Sequence, residues 1–265
     1  MSEFLQACQE AVRVGGAVLM EWRGKFNARE KGPADLVTEA DYASQERIRE
    51  LLLSRFPEHG FLGEEDGTDI APRDGRHRWI VDPLDGTVNY VHGVPNFAVS
   101  VALECEGRII AGAIYDPSLD ECFTAEAGGG AFLNGSPIRT SDTTQLTEAL
   151  VVASFPAGIQ EGHPEIERFV RALVATQSLR RTGSAALNLS YLAAGRFDAY
   201  WATTTKIWDI AAGFLILSEA GGSLATPEGG EVELAKPRFV AAATPQLQQA
   251  LRACLNGENG QLASQ

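Results

Sequence analysis

No stretch of this chain approaches the roughly 18 apolar residues that a membrane-spanning helix needs, so no membrane partner is expected. Positive charge is scarce. The 22 Lys and Arg stand against 35 Asp and Glu, a formal charge of −13. That balance argues against a nucleic-acid partner, because phosphate backbones are bound by clustered cations. Cysteine is sparse as well: Cys8, Cys105, Cys122 and Cys254 form no CxxC pair and exclude a zinc-ribbon type of site. They read as buried free thiols, although Cys105 and Cys122 lie in strand-like runs and could touch across a sheet. The N-terminal segment alternates polar and apolar residues as an amphipathic helix does, not as a secretory leader does. Free thiols without a leader fit a reducing cytoplasm. Fixed-period repeats are absent, and low complexity is confined to a polar tail from Asn256 to Gln265.

What is present is a chain of 265 residues, enough for one large domain or two modest ones. Apolar residues recur at helical spacing over 2–24. A loop with Lys31, Gly32 and Pro33 follows, then a helix from Thr38 to Phe56 that Thr38 caps. The period then changes. Trp79–Val81, Phe97–Leu103, Ile109–Ile114, Cys122–Ala125 and Ala131–Leu133 are short apolar runs separated by Gly- and Asn-rich turns, as in an antiparallel sheet. From Ala149 strands and helices alternate: strands at Leu150–Ser154, Ala199–Trp201 and Phe239–Ala243, and helices at Glu165–Thr176, Ser184–Ala194, Asp209–Ala220 and Gln246–Leu255. Residues 1–145 therefore read as an α+β half and 146–265 as an α/β half.

The chemistry concentrates in acids. In Trp79-Ile80-Val81-Asp82-Pro83-Leu84-Asp85-Gly86-Thr87, an apolar strand delivers two carboxylates at its C-terminal end. Hard divalent cations take clustered oxygens, and Mg²⁺ typically takes one or two carboxylates with waters and substrate oxygens. Gly86 lets backbone approach an anion, and the amides of Gly86 and Thr87 can hold a phosphate where a helix begins. Three further acidic points are Glu64-Glu65-Asp66, Asp209 and Asp41. Singly, each also reads as something ordinary: a turn at Asp82–Gly86, a solvated loop at Glu64–Asp66, a helix cap at Asp209, a first-turn acid at Asp41. The spacing is not that of an EF-hand. Their occurrence together and in order points to an acidic metal site beside a phosphate cradle.

Four segments resemble the inositol monophosphatase family: Lys31 to Asp41, Gly63-Glu64-Glu65-Asp66, Trp79 to Asn89, and Trp208-Asp209-Ile210-Ala211-Ala212-Gly213. Gly183-Ser184-Ala185-Ala186, with Gly195 to Ala199, is similar to that family's substrate-side segment. The resemblance implies a five-layer αβαβα sandwich of the inositol monophosphatase and sugar phosphatase type, a homodimer, and a site between the two halves. It implies a small phosphorylated substrate and two to three Mg²⁺ ions. Glu64, Asp82 and the Leu84 carbonyl would bind one ion and Asp82, Asp85 and Asp209 a second, with a third held through water by Glu64. Gly86 and Thr87 would grip the phosphate, and Asp41 would hydrogen-bond Thr87. Glu64 with Thr87 would orient the attacking water. The substrate side would comprise Asp85, Ser184, Ala185, Ala202 and Asp209.

Selectivity is where the sequence departs from that family. After the strand Asp198-Ala199-Tyr200-Trp201, inositol-selective members carry a glutamate that contacts sugar hydroxyls. Here the position is Ala202, followed by Thr203-Thr204-Thr205-Lys206. Losing that acceptor weakens polyol selectivity, and Lys206 would attract a second anionic group unless it is simply a surface lysine. The expected substrate is myo-inositol monophosphate, followed by fructose 1,6-bisphosphate or sugar phosphates broadly. Histidinol phosphate and 3′-phosphoadenosine 5′-phosphate phosphatases share the metal motifs. Lithium inhibition is implied. The non-enzymatic alternative is a protein-binding regulator that keeps a vestigial site.

Overall fold

The computed structural model describes residues 1–32, 35–156 and 158–258, with no account of the side chains of Lys31, Gly32, Asp35 and Asp66. The first half runs α1 (Glu3–Trp22), β1 (Ala28–Gly32), β2 (Asp35–Thr38), α2 (Glu39–Arg55), β3 (Gly60–Gly63), β4 (Asp69–Ile70), β5 (His77–Asp85), α3 (Thr87–Val91), β6 (Ala98–Cys105), β7 (Arg108–Asp116), β8 (Glu121–Glu126), β9 (Gly130–Leu133) and β10 (Ser136–Ile138). The second runs β11 (Leu150–Ser154), α4 (Pro164–Ala175), β12 (Ser178–Arg180), α5 (Ala185–Ala193), β13 (Ala199–Ala202), α6 (Ile207–Glu219), β14 (Ser223–Ala225), β15 (Phe239–Ala242) and α7 (Pro245–Asn256).

Two sheets carry the molecule. One has eight strands in the order β10-β9-β8-β7-β6-β5-β3-β4, antiparallel except where β3 runs parallel to β5. The other has five, in the order β12-β11-β13-β15-β14. Strand alternation sorts their side chains into three cores. Val81, Val99 and Val101 pack against α1 and α2. Ile80, Ala98 and Ala102 face the other way, onto α5 and α6, and share that core with Tyr200 and Phe239 of the second sheet. Trp201 and Val240 point out of the second sheet toward α4 and α7. The layers are thus helix, sheet, helix, sheet, helix, as the resemblance implied.

Differences from the sequence reading are local. The supposed loop at Lys31–Pro33 is in part the β1–β2 ribbon, exposed over Ala28–Glu30 and buried at Val37 and Thr38, too short to show an alternation; Pro33 itself lies outside the described residues. The helix expected from Asp209 begins two residues earlier, at Ile207. Cys105 and Cys122 sit on β6 and β8, with β7 between them, and all four cysteines are free. Residues 259–265 of the polar tail lie outside the described residues.

Candidate active site

Asp82 and Asp85 lie three residues apart, and in a regular strand that spacing puts side chains on opposite faces. Here Asp82 pairs with Ser100 and Asp85 with Ala98, so β5 spends one extra residue between them. Ser100 and Ala98 share a face of β6, and this bulge therefore turns both carboxylates to the same side, toward α5 and α6. Pro83, which has no N–H for the ladder, sits inside the bulge, where proline is tolerated. The Ser44 hydroxyl donates to the Pro83 carbonyl at 3.0 Å and fixes the bulge from α2.

The next acid arrives by parallel pairing. Gly63 stands opposite Val81, and the Glu64 amide donates to the Val81 carbonyl at 3.2 Å. Glu64 therefore emerges beside Asp82. The Gln45 side chain clamps the following residue: its amide donates to the Glu65 carbonyl at 3.0 Å, and its oxygen accepts the Glu65 N–H at 2.9 Å. That clamp needs glycine at 63, since a Cβ there would lie 2.3 Å from Gln45 Oε1.

Two helix starts supply the rest. At α5, Ser184 caps the helix and donates to Asp85 Oδ2, while the Ala185 and Ala186 amides donate to the same carboxylate at 3.2 and 2.8 Å. A carboxylate at a helix N-terminus is held by exposed amides and by the macrodipole. At α6, Asp209 Oδ2 accepts the Lys206 N–H at 2.8 Å. Asp41 at the start of α2 accepts from the Thr38 amide at 2.8 Å and the Thr38 hydroxyl at 2.7 Å. Its other oxygen lies 3.3 Å from the Thr87 hydroxyl, which also points to the Leu84 carbonyl at 3.0 Å. Gly86, just before α3, has φ of 91°, and a Cβ on it would lie 2.9 Å from the Asn96 carbonyl. Only glycine takes that conformation and that contact at little strain.

Electrostatics marks the cluster as frustrated. Burial raises the Asp82 carboxyl well above the usual range, and the charges of Glu64, Asp85 and Asp209 and a hydrogen bond with Glu64 push the same way. Burial pushes Asp85 up to about 6, against the opposing pull of Ser184 and the helix amides. Asp209 is pushed up to about 8, by burial first and then by the charge of Asp85. Four carboxyls that repel one another in a half-buried cleft, with oxygen donors only, suit a hard divalent cation.

The structure thus brings together Glu64, Asp82, Leu84, Asp85, Gly86, Thr87, Asp41, Ser184, Ala185 and Asp209. Ala202 is fully buried at the end of β13, and the chain opens to solvent from Thr203 onward. Sequence reasoning missed Ser44 and Gln45. With Asp41 and Ile48 they form one helical stripe at positions 41, 44, 45 and 48, all buried. Polar residues inside an otherwise apolar stripe were the available signal. A separate cluster, His59, Asp74 and His77, lies at the far end of β5 from the acids. One nitrogen of each imidazole and an Asp74 carboxylate oxygen lie within 4.8 Å of one another, and the two rings stack at 4.7 Å and 19°. His77 Nδ1 pairs with Asp74 at 2.5 Å.

Strand-end carboxylates between two packed sheets, facing a helix-start cradle, make a site suited to hard cations beside a phosphate. The sequence model of the inositol monophosphatase family matches residues 1–258, and the chain belongs to that family. An inositol-1-monophosphatase of Rhizobium meliloti is 47% identical over 201 residues, covering 76% of this chain and 75% of the relative. The Nus factor SuhB of Pseudomonas aeruginosa is 38% identical over 251 residues, covering 92% and 93%. Among solved structures, the extragenic suppressor protein suhB from Bartonella henselae superposes with a TM-score of 0.92 at 38% identity, covering 96% of this chain and 98% of that one.

Proposed function

We propose that this phosphatase hydrolyses a small phosphate monoester with Mg²⁺, myo-inositol monophosphate foremost. The observation that carries the reading is the convergence of Glu64, Asp82, Asp85 and Asp209 on one face, with Asp82, Asp85 and Asp209 all raised by burial, and Asp82 and Asp209 also by the charge of neighbouring acids. The residues that would hold the ions are Glu64, Asp82 and the Leu84 carbonyl for one and Asp82, Asp85 and Asp209 for a second, with Glu64 reaching a third through water. Bound Mg²⁺ offsets the carboxylate charge, draws in phosphate oxygens and makes water a better nucleophile near neutral pH.

The chain's own groups do the positioning. Gly86 and Thr87 present the first amides of α3, which have no acceptor within the helix, to the phosphate. Asp41 and the Leu84 carbonyl fix the Thr87 hydroxyl, and Thr87 with Glu64 orients the attacking water. The water oxygen forms its bond to phosphorus as the ester P–O bond breaks, and the proton that the water gives up ends on the departing alkoxide, leaving the free alcohol and inorganic phosphate. Ser184 and the Ala185 amide hold Asp85 on the alcohol side, next to Asp209 and the Ala202 strand end.

A second reading rests on the relatives named Nus factor SuhB: a protein-binding regulator that keeps the site. Steady phosphate release with Mg²⁺, lost by at least about 10³-fold in Asp82→Asn, supports the enzyme. No release from inositol phosphates, fructose 1,6-bisphosphate, histidinol phosphate or 3′-phosphoadenosine 5′-phosphate, or release that survives in Asp82→Asn, sinks it. A homodimer is supported by the outward stripe of Ile166, Val170, Leu173 and Val174 on α4, with Val174 83% exposed. The free thiols support a reducing, cytoplasmic setting.

A further inference from the structure

The chain has four histidines, and two of them, His59 and His77, stand ring against ring beside Asp74. They come from two turns that the backbone ties together. The amides of Arg73 and Asp74 donate to the Glu58 carbonyl at 2.8 and 3.1 Å. His59 follows that carbonyl between α2 and β3, and Asp74 lies in the turn that leads into His77 at the start of β5. Asp74 is itself fixed: its Oδ1 accepts the Arg76 and His77 amides at 2.9 and 3.0 Å, and its Oδ2 pairs with His77 Nδ1. Around the imidazoles the wall is aromatic. Phe56 stacks on His59 at 4.9 Å, and Phe4 and Trp79 lie 5.8 and 5.7 Å from the same ring.

His59 is the odd member. Its side chain is only 9% exposed, yet among the described residues neither ring nitrogen makes a hydrogen bond. Nδ1 is buried without a partner, and Nε2 faces Asp74 Oδ2 across 3.9 Å, too far to bond. Buried polar atoms ordinarily find partners. A ring held by stacking alone can also turn toward an ion without breaking a hydrogen bond.

We propose that His59, Asp74 and His77 form a zinc site, separate from the acidic cluster and at the other end of β5. Two imidazole nitrogens with one carboxylate oxygen suit zinc, whereas magnesium takes oxygens. Three protein ligands leave a fourth position for water, and the Asp74 side chain, 21% exposed, keeps that side open to solvent. Ligands on a tetrahedral zinc at about 2.0–2.1 Å stand roughly 3.3 Å from one another. The 3.9 Å gap between His59 and Asp74 closes toward that spacing and the 2.5 Å pair of Asp74 and His77 opens toward it, which turns one ring against the other. The aromatic wall shields the ion from water on the remaining side. Zinc would then join the turn after α2 to the start of β5.

The test titrates Zn²⁺ into the full chain by calorimetry with Mg²⁺ in excess, and repeats it in D82N, which disables the acidic cluster and leaves the histidines intact. Wild type and D82N are both expected to bind one Zn²⁺ at this site and to melt at a higher temperature with it. H77Q weakens that binding by at least about 100-fold, since losing a ligand costs no less than losing the outer-shell partner of one, roughly 10–100-fold. D74N keeps an oxygen for the two backbone amides and weakens it by at least about 10-fold, which covers the case in which H77Q does not fold. Co²⁺ in place of Zn²⁺ gives D82N the visible absorption of a low-coordinate nitrogen-bound ion, where an all-oxygen, six-coordinate site stays pale. Zn²⁺ binding that D82N abolishes places the ion in the acidic cluster and overturns the proposal. So does binding that H77Q and D74N both leave unmoved, a Co²⁺ complex of D82N without visible bands, or no binding at all.

Discussion

Removing Mg²⁺ should destabilise this protein more at pH 8 than at pH 5, and the reason lies in the sign of the carboxyl shifts. Asp85 and Asp209 both start from 3.8 unfolded and are raised in the fold, to about 6 and about 8. A raised acid binds its proton more tightly folded than unfolded, so the metal-free fold loses stability as pH climbs from about 4 to about 8. Moving Asp85 from 3.8 to about 6 penalises its ionised folded form by about 3 kcal/mol, of which about 1–2 kcal/mol falls above pH 5, with Asp209 titrating over the rest of the window. Asp209 shares the same repulsion, so its contribution does not simply add. At about 2–4 °C per kcal/mol for a chain of this size, the Mg²⁺-induced rise in Tm should grow by roughly 5–10 °C between pH 5 and pH 8. The assay is thermal unfolding in EDTA and in saturating Mg²⁺ at four pH values, read as the difference between the two curves. Subtracting them removes every titration unconnected with the site. Asp209→Asn in EDTA should melt higher than wild type at pH 8, because it relieves repulsion and keeps an oxygen for the Lys206 amide. A Mg²⁺ effect that is flat in pH or largest at pH 5 refutes the reasoning, and so does an Asp209→Asn variant that melts lower.

Two substitutions probe the scaffold behind the acids. Gly86→Ala places a Cβ 2.9 Å from the Asn96 carbonyl at a φ of 91°, and should lower stability by about 1–2 kcal/mol and phosphate release by a larger factor than its stability loss explains. Chemical denaturation beside initial rates measures both; an active, undiminished alanine variant contradicts the cradle. Gln45→Ala removes both hydrogen bonds to the Glu65 backbone. It should cost about 1–3 kcal/mol and raise the Mg²⁺ concentration needed for half-maximal activity, because Glu64 then hangs from an unclamped turn. Unchanged Mg²⁺ dependence would assign Gln45 to stability alone.

How much of this was readable beforehand depends on whether a residue's role is local. Asp209, Thr38 and Ser184 announce themselves as helix-start acids and caps, and the helix starts are where the sequence put them to within two residues. The αβαβα layering was implied by the resemblance, and the switch near Ala149 to alternating strands and helices agreed with it. The β1–β2 ribbon, β4, β10, β12 and β14 escaped notice, since each is short, exposed or half-buried, and shows too little alternation to read. Long-range partnerships were invisible for a different reason. Nothing near Gln45 says that a glycine at 63 leaves room for its amide, or that Ser44 reaches Pro83.

The spacing of Asp82 and Asp85 shows how an apparent contradiction carries information. Read as a plain strand, Trp79 to Asp85 sends its two acids to opposite faces, one of them into the valine-rich core under α1 and α2. A carboxylate there would be unpaired and strongly disfavoured. Two acids three apart on a buried strand therefore require either that one be abandoned to the core or that the strand slip by one residue between them. Pro83 favours the second outcome, since a proline that deletes a ladder hydrogen bond is accommodated where the ladder is already broken. The bulge between Asp82 and Asp85 is that slip. The order Asp-Pro-Leu-Asp thus encodes a change of register, and the register in turn sets both carboxylates on the one face that α5 and α6 can reach.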